Sequence, residues 1–231
     1  MALALRSGSD ASFGGNSGGD LVVDKPVGTV DGDIMVNVIY WETDTTTIST
    51  VPTGWSLAAN LANTGAFLLS VYYKRASSEP ANYTWGNDTP GNQWRNVIVA
   101  AFSGGTGTGS LIDVTGSSQA DGALEANQTA PSVTTTGADR MLIRGGGNFN
   151  GVPTSASGAA GTFLRAGNGA NLCYGLRASA GATGTTHVIG AGSDDYVGIH
   201  AAIISDTGGG ATTTPPRPLI VRQAVKRAAS W

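Results

Sequence analysis

The chain has 231 residues, 35 of them glycine, with only 13% charged residues and a formal net charge of −3. Glycine is about twice ordinary usage and charge about half, which excludes charged disorder, a state that needs high net charge and few apolar groups. The single cysteine, Cys173, excludes an internal disulfide framework and a cysteine zinc site.

The charge is unevenly placed. Four of the 13 basic residues (Arg217, Arg222, Lys226 and Arg227) fall in the last 15 positions, which hold no Asp or Glu. The body keeps nine basic against 16 acidic residues, a net −7. An acidic body argues against nucleic acid as a partner, because phosphate rewards a basic face. No stretch reaches the 18 or so apolar residues that a spanning helix requires, so no membrane partner is expected.

At the start, MALALRS has neither a basic n-region nor an apolar run long enough for a secretory signal, and synthesis in the cytoplasm is the expectation. GGNSGGD (14–20) is glycine-rich, but no apolar strand leads into it and no helical pattern follows. It reads as a flexible turn rather than a phosphate cradle.

Strand signals then recur along the chain: DIMVNVIYW (33–41), AFLLSVYYK (66–74), QWRNVIVAAF (93–102), RMLIRGG (140–146), NLCYGL (171–176) and YVGIHAAII (196–204). Several alternate as strands with one buried face should. In the second, Phe67, Leu69, Val71 and Tyr73 point one way, and Leu68, Ser70, Tyr72 and Lys74 the other. Turn clusters such as VDGD, VPTGW, ANTG, NDTPGN and SGGTGTGS separate the runs. The pattern predicts an all-β fold, a jelly-roll-like antiparallel β-sandwich.

The sequence also echoes itself. PVGTVDGDIMVNVIYW, GWSLAANLANTGAFLLSVYYKRAS and QWRNVIVAAFSG are followed, in the same order, by PSVTTTGADRMLIRGGG, GTFLRAGNGANLCYGLRAS and DYVGIHAAIIS. This predicts two related strand sets, 20–104 and 130–206, with SLIDVTGSSQADGALEANQ as their connection. One sandwich built from both sets is favoured over two small ones, because each set has few large apolar residues and paired halves hide edge strands. The body is expected over 1–206, a Gly/Thr/Pro linker over 207–216 and a tail over 217–231.

Pro215, Pro216 and Pro218 impose an extended start on the tail. Beyond them Val221, Ala224, Val225 and Ala228 fall at helical spacing. Leu219, Ile220, Val221, Arg222, Val225, Lys226, Arg227 and Trp231 combine apolar anchors with cations, more apolar surface than a solvated tail carries. They form the predicted docking segment.

Catalytic chemistry is sparse. The chain has no GxSxG elbow, HExxH or Walker loop, and no enzyme activity is expected. His187 and His200 lie in strand-like segments and read as satisfied core or edge histidines. Cys173 reads as a small core hydrophobe. Asp31 with Asp33, and Asp194 with Asp195, supply calcium-type oxygens, although DG and GSDD also suit turns, and the turn reading is preferred. No other cofactor is expected. Trp41, Trp55, Trp85 and Trp94 follow turns or end strands, where a sandwich needs core plugs.

KPVGTVDGDIMVNVIYW, VPTGW, GAFLLSVYYKRASSEPANYTW and PLIVRQAVKRAASW together resemble a family of β-sandwich proteins from tailed-phage structural regions and prophage-like bacterial proteins. The resemblance covers most of 20–104 and runs more loosely through the second half. It implies a non-enzymatic virion structural protein on the particle exterior, made in the cytoplasm of a bacterial host. A head decoration or minor capsid component, held by subunit contacts and the C-terminal tail, is the first expectation. A minor tail or fibre protein, trimeric in the fibre case, is the alternative. In either place its partners would be capsid or tail subunits and copies of itself. A rival of another class is a carbohydrate-binding module for host glycans, which would require Trp55 or Trp94 on the surface.

Overall fold

A computed structural model describes residues 3–6, 12–16, 20–42, 47–63, 67–86, 94–104, 110–148, 153–166 and 169–204. The described residues are all-β. In chain order the first half gives β1 (Ala4–Leu5), β2 (Ser12–Asn16), β3 (Leu21–Asp24), β4 (Ile34–Trp41), β5 (Ser56–Asn63), β6 (Phe67–Arg75), β7 (Asn82–Trp85) and β8 (Arg95–Ser103). The second gives β9 (Ile112–Ala130), β10 (Thr134–Thr135), β11 (Arg140–Asn148), β12 (Ser155–Gly158), β13 (Thr162–Ala166), β14 (Ala170–Arg177), β15 (Gly181–Ala182) and β16 (Thr186–Ile204).

All pairing is antiparallel, in two large sheets and two small ones. The first large sheet runs β1-β8-β4-β6-β5, with β2 also on β8. The second runs β12-β16-β11-β14-β13, with β9 on the other side of β16. Apart from β12, the two orders correspond, with β9 standing where β1 and β2 stand. Ile34 faces Arg75 and Phe102 across the first sheet, and Met141 faces Leu176 and Ile203 across the second. Even an irregularity repeats. The β5–β6 ladder skips Ala58 between Leu57 and Ala59, and the β13–β14 ladder skips Leu164 between Phe163 and Arg165.

Two expectations are corrected here. Residues 112–128, read above as a connection, belong to β9, which pairs with β16 and does for the second sheet what β1 and β2 do for the first. Ile112 and Val114 at its start pack into the cores, and backbone pairing to β16 carries the polar remainder. Gly14, Gly15 and Asn16 of GGNSGGD likewise form part of β2, opposite Val97, Asn96 and Arg95. The ladder on β8 extends these three residues, which are strand rather than a flexible turn, and residues 17–19 lie outside the described residues.

The large sheets stack face to face, β8 against β14 and β6 against β16, with β4 and β11 at the centre. Val36, Val38, Leu69, Val71, Ile98 and Phe102 from one sheet meet Met141, Ile143, Leu172, Ile199 and Ile203 from the other in a single core. Tyr73 and Tyr174 pack at its margin from equivalent positions. The inward alternation of β6 follows the sequence reading.

The outward face differs from that reading, because it too is buried. Leu21 and Val23 of β3, paired with Trp85 and Tyr83 of β7, lie over Met35, Ile39, Leu68 and Val99 in a second core. Trp55 meets Tyr83 edge-on at 5.4 Å, and Trp85 lies 5.5 Å from Trp55 and 4.9 Å from Tyr72. Glu79 closes this lid: its carboxylate accepts from Lys74 Nζ at 2.8 Å, Tyr83 OH at 2.7 Å and the Ser77 amide at 2.8 Å. Burial pushes Glu79 up, but these donors outweigh it and hold the carboxyl below its usual range. The corresponding lid of the second half, β10 with β15, has only two residues per strand and covers a small cluster of Val133, Leu142, Ala160 and Ala202.

The triplet Gly145–Gly147 lets the sheets approach at the centre. A Cβ on Gly145 would sit 2.8 Å from Val71 Cγ2 and 3.2 Å from both methyls of Val38. Gly147 faces the ring of Tyr40, and Gly146, on the other face, leaves room for Arg144 and Asn171. Valines have little χ1 freedom with which to retreat. Gly145→Ala is therefore expected to cost about 1–3 kcal/mol in denaturant unfolding. Adding Val71→Ala should return part of that loss, because the two sites share one contact.

Candidate interaction surface and buried polar centre

Three of the four described tryptophans plug the core of the first half: Trp41, Trp55 and Trp85 are buried. Trp94 is different. It stands just before β8 with 51% of its surface exposed. Its backbone is tied to the end of β4, the Glu42 amide donating to Trp94 O at 2.9 Å and the Trp94 amide to Glu42 Oε2 at 3.4 Å. Burial raises the Glu42 pKa, and the Trp94 amide opposes that rise. Next in sequence, Arg95 is fully buried, its guanidinium 4.6 Å from the Trp41 ring. The result is an exposed indole whose backbone is tied to Glu42 at one end of the first sheet, a surface on which a flat, partly apolar ligand can stack.

A second exposed feature is apolar. Val22, Val27 and Val30 show half or more of their surface to solvent along the segment of β3 and the turn after it. Val22 points outward because Leu21 and Val23 point into the second core.

The carboxylates considered for calcium serve other ends. Asp33 Oδ2 accepts from the Val30 amide at 3.0 Å and from Arg6 Nε at 2.9 Å, and Asp31 Oδ1 accepts from the Ser78 amide at 2.7 Å. DG occupies a tight turn, with Gly32 at φ 92°. The GSDD part of the turn reading is corrected: residues 192–195 lie within β16, with Asp194 opposite Glu125. A ladder partner on β9 keeps that segment extended. Among the described residues no three His, Cys, Asp or Glu side chains gather as metal ligands.

His187 sits between two hydroxyls, Nδ1 at 2.9 Å from Thr129 Oγ1 and Nε2 at 3.1 Å from Thr185 Oγ1. His200 belongs to a polar centre on the outer face of the second sheet. In register, Arg144 faces Cys173 on one side and His200 on the other, and its Nη1 donates to Asn171 Oδ1. All four residues are buried. Arg144 and Asn171 stand where the first half has Asn37 and Ser70, so both sheets carry a polar pair under their lids. Burial pushes the Cys173 thiol up to about 11, against the pull of Arg144, which leaves it protonated and unreactive at neutral pH.

The predicted docking residues, Leu219, Ile220, Val221, Arg222, Val225, Lys226, Arg227 and Trp231, lie outside the described residues, as do the linker and Asp206. Sequence reasoning also passed over Glu42 and the Arg144 centre. A lone Glu after a strand and an Arg inside an apolar run carry no spacing signal.

Burial and then the Arg144 charge lower the His200 pKa from 6.5 to about 4, while the bond to Pro131 O, 2.8 Å from Nδ1, works in the opposite direction. The unfolded chain takes this proton below about pH 6.5 and the folded chain only near pH 4. The associated stability is complete above pH 6.5 and disappears as the pH falls to 4, a loss on the order of 3 kcal/mol. Unfolding measured across that window should show the slope in the native chain, and His200→Asn should flatten it. No protein-family model matches this chain, and neither a curated protein nor a solved structure does.

Proposed function

We propose that the protein is a non-enzymatic structural component of a phage particle exterior, a head decoration or minor capsid protein that attaches through its C-terminal segment. The observation that carries the reading is how the body uses its ionisable groups. Glu79, Asp33 and Asp113 are each committed to fixing a lid, a turn or a strand join. The segment from Pro215 to Trp231, by contrast, combines apolar anchors and four cations with no acidic residue. An inert, twice-built sandwich with an adhesive extension suits attachment in many copies, where individually weak contacts add through avidity. Bound acidic patches on neighbouring subunits would complement Arg217, Arg222, Lys226 and Arg227. The resemblance described above points to the same setting, and a minor tail or fibre place uses the same chemistry.

Deleting residues 215–231 tests the attachment. Particles assembled with the truncated chain should retain it about tenfold less or worse, because every copy loses the same contact. Equal incorporation would reject the docking role. Imaging labelled copies distinguishes head from tail.

One observation favours a second reading, recognition of host-surface glycans. Trp94 is an exposed indole on a backbone bonded to the Glu42 carboxylate, the kind of plate on which a sugar face stacks. Trp55, 7% exposed, is core. Trp94→Ala should abolish any glycan-array signal while shifting stability by no more than about 0.5 kcal/mol. Trp55→Ala should instead cost about 3–5 kcal/mol of stability.

A further inference from the structure

The two halves carry the same ion pair in the same place with opposite polarity. In the first half, Leu5 of β1 faces Phe102, and the next residue, Arg6, sends its guanidinium across β8 to Asp33, just before β4, with Nε 2.9 Å from Oδ2. In the second, Ile112 of β9 faces Ile203, and the next residue, Asp113, receives Arg140 across β16, with Nε 3.0 Å from Oδ2. Asp33 immediately precedes Ile34, and Arg140 immediately precedes Met141, the corresponding inward residues of the two central strands. The strand crossed presents a buried alanine on that face in each case, Ala101 or Ala202. Partners are 27 residues apart in both pairs.

Apolar pattern does not tell these two edges apart. Leu5 and Ile112 turn toward one shared core from matching positions, although the β9 ladder skips Asp113 between Ile112 and Val114. Charge does. With β1 in the place of β9, Arg6 would face Arg140. With the start of β9 in the place of β1, Asp113 would face Asp33. Three of the four side chains are nearly dry, Asp33 at 2% exposed, Asp113 at 4% and Arg140 at 5%, while Arg6 keeps 27% of its surface in water. Like charges there would meet across a site with little water, and the remaining bonds, from the Val30 amide to Asp33, from Thr136 to Asp113 and from Arg140 to Ala138 O, do not replace the lost ion pair.

We propose that the inverted pair is a sorting code for strand docking. The β8 edge accepts a strand with a cation directly after its inward apolar residue, and the β16 edge accepts one with an anion there. The same rule holds between copies of the chain: β1 of one copy fits the first sheet of another and is refused by the second.

The code is tested in the full chain by refolding from denaturant and NMR. Contact between the Hα protons of residue 5 and Phe102 reports β1 on its own sheet, and contact with Ile203 reports the wrong one. Arg6→Asp with Asp33→Arg keeps an ion pair in the first half but gives both halves one polarity. This double variant should refold to two species, the misplaced one at about a tenth or more of the signal, because like-charge exclusion is what suppressed it. Reversing all four residues (adding Asp113→Arg and Arg140→Asp) should restore a single, correctly paired species. A double variant that refolds wholly to the Phe102 contact overturns the proposal, and so does failure of both variants to fold. A double variant that fails while the fourfold reversal folds supports it, because only relative polarity differs.

Discussion

Packing of Val38, Val71 and Tyr40 onto the glycine triplet at 145–147 governs how the rest of this structure is arranged. The two central strands approach at that point, and neither brings a large side chain from both directions. Interiors pack to crystalline density, so bulk on β4 requires its absence on β11. The two halves share strand order and ladder register, yet they have diverged into complementary partners where they meet. One supplies side chains and the other supplies room.

The same complementarity extends outward in unequal measure. The first half has a four-residue lid pair and an aromatic outer core, fastened by Glu79, Lys74 and Tyr83. The second has a two-residue lid and fills its outer face with Arg144, Asn171 and His200. Aromatic burial stabilises one side, and a hydrogen-bonded polar centre occupies the other. Buried polar centres add less net stability than an apolar core of the same volume, so the second half depends more on the shared interface.

Much of the fold could be read from residue order alone. Runs such as DIMVNVIYW and QWRNVIVAAF are apolar enough to define β4 and β8, and the segments that echo one another occupy matching places in the two sheets. Three things were hidden. β9 is polar beyond Ile112 and Val114 apart from scattered alanine and Leu124, because a strand held by backbone pairing needs no apolar signature. The second buried face of β4 and β6 depends on a lid from distant β3 and β7, which local periodicity does not encode. The surface role of Trp94, against the core role of Trp41, Trp55 and Trp85, is decided by which side of a strand end the indole leaves, and one neighbouring residue does not reveal that. The predicted docking segment lies outside the described residues and is read from composition and spacing alone.

The uneven distribution of two side-chain types gives the molecule a built-in pair of reporters. Every described tryptophan belongs to the first half, and the only thiol, Cys173, is sealed in the second. Once Trp231 is replaced, indole emission follows one sheet as it opens, while the rate at which a maleimide reaches the sulfur follows the other. An optical clock and a chemical clock on one chain can determine whether the twin sheets come apart together or in sequence, with no cysteine introduced.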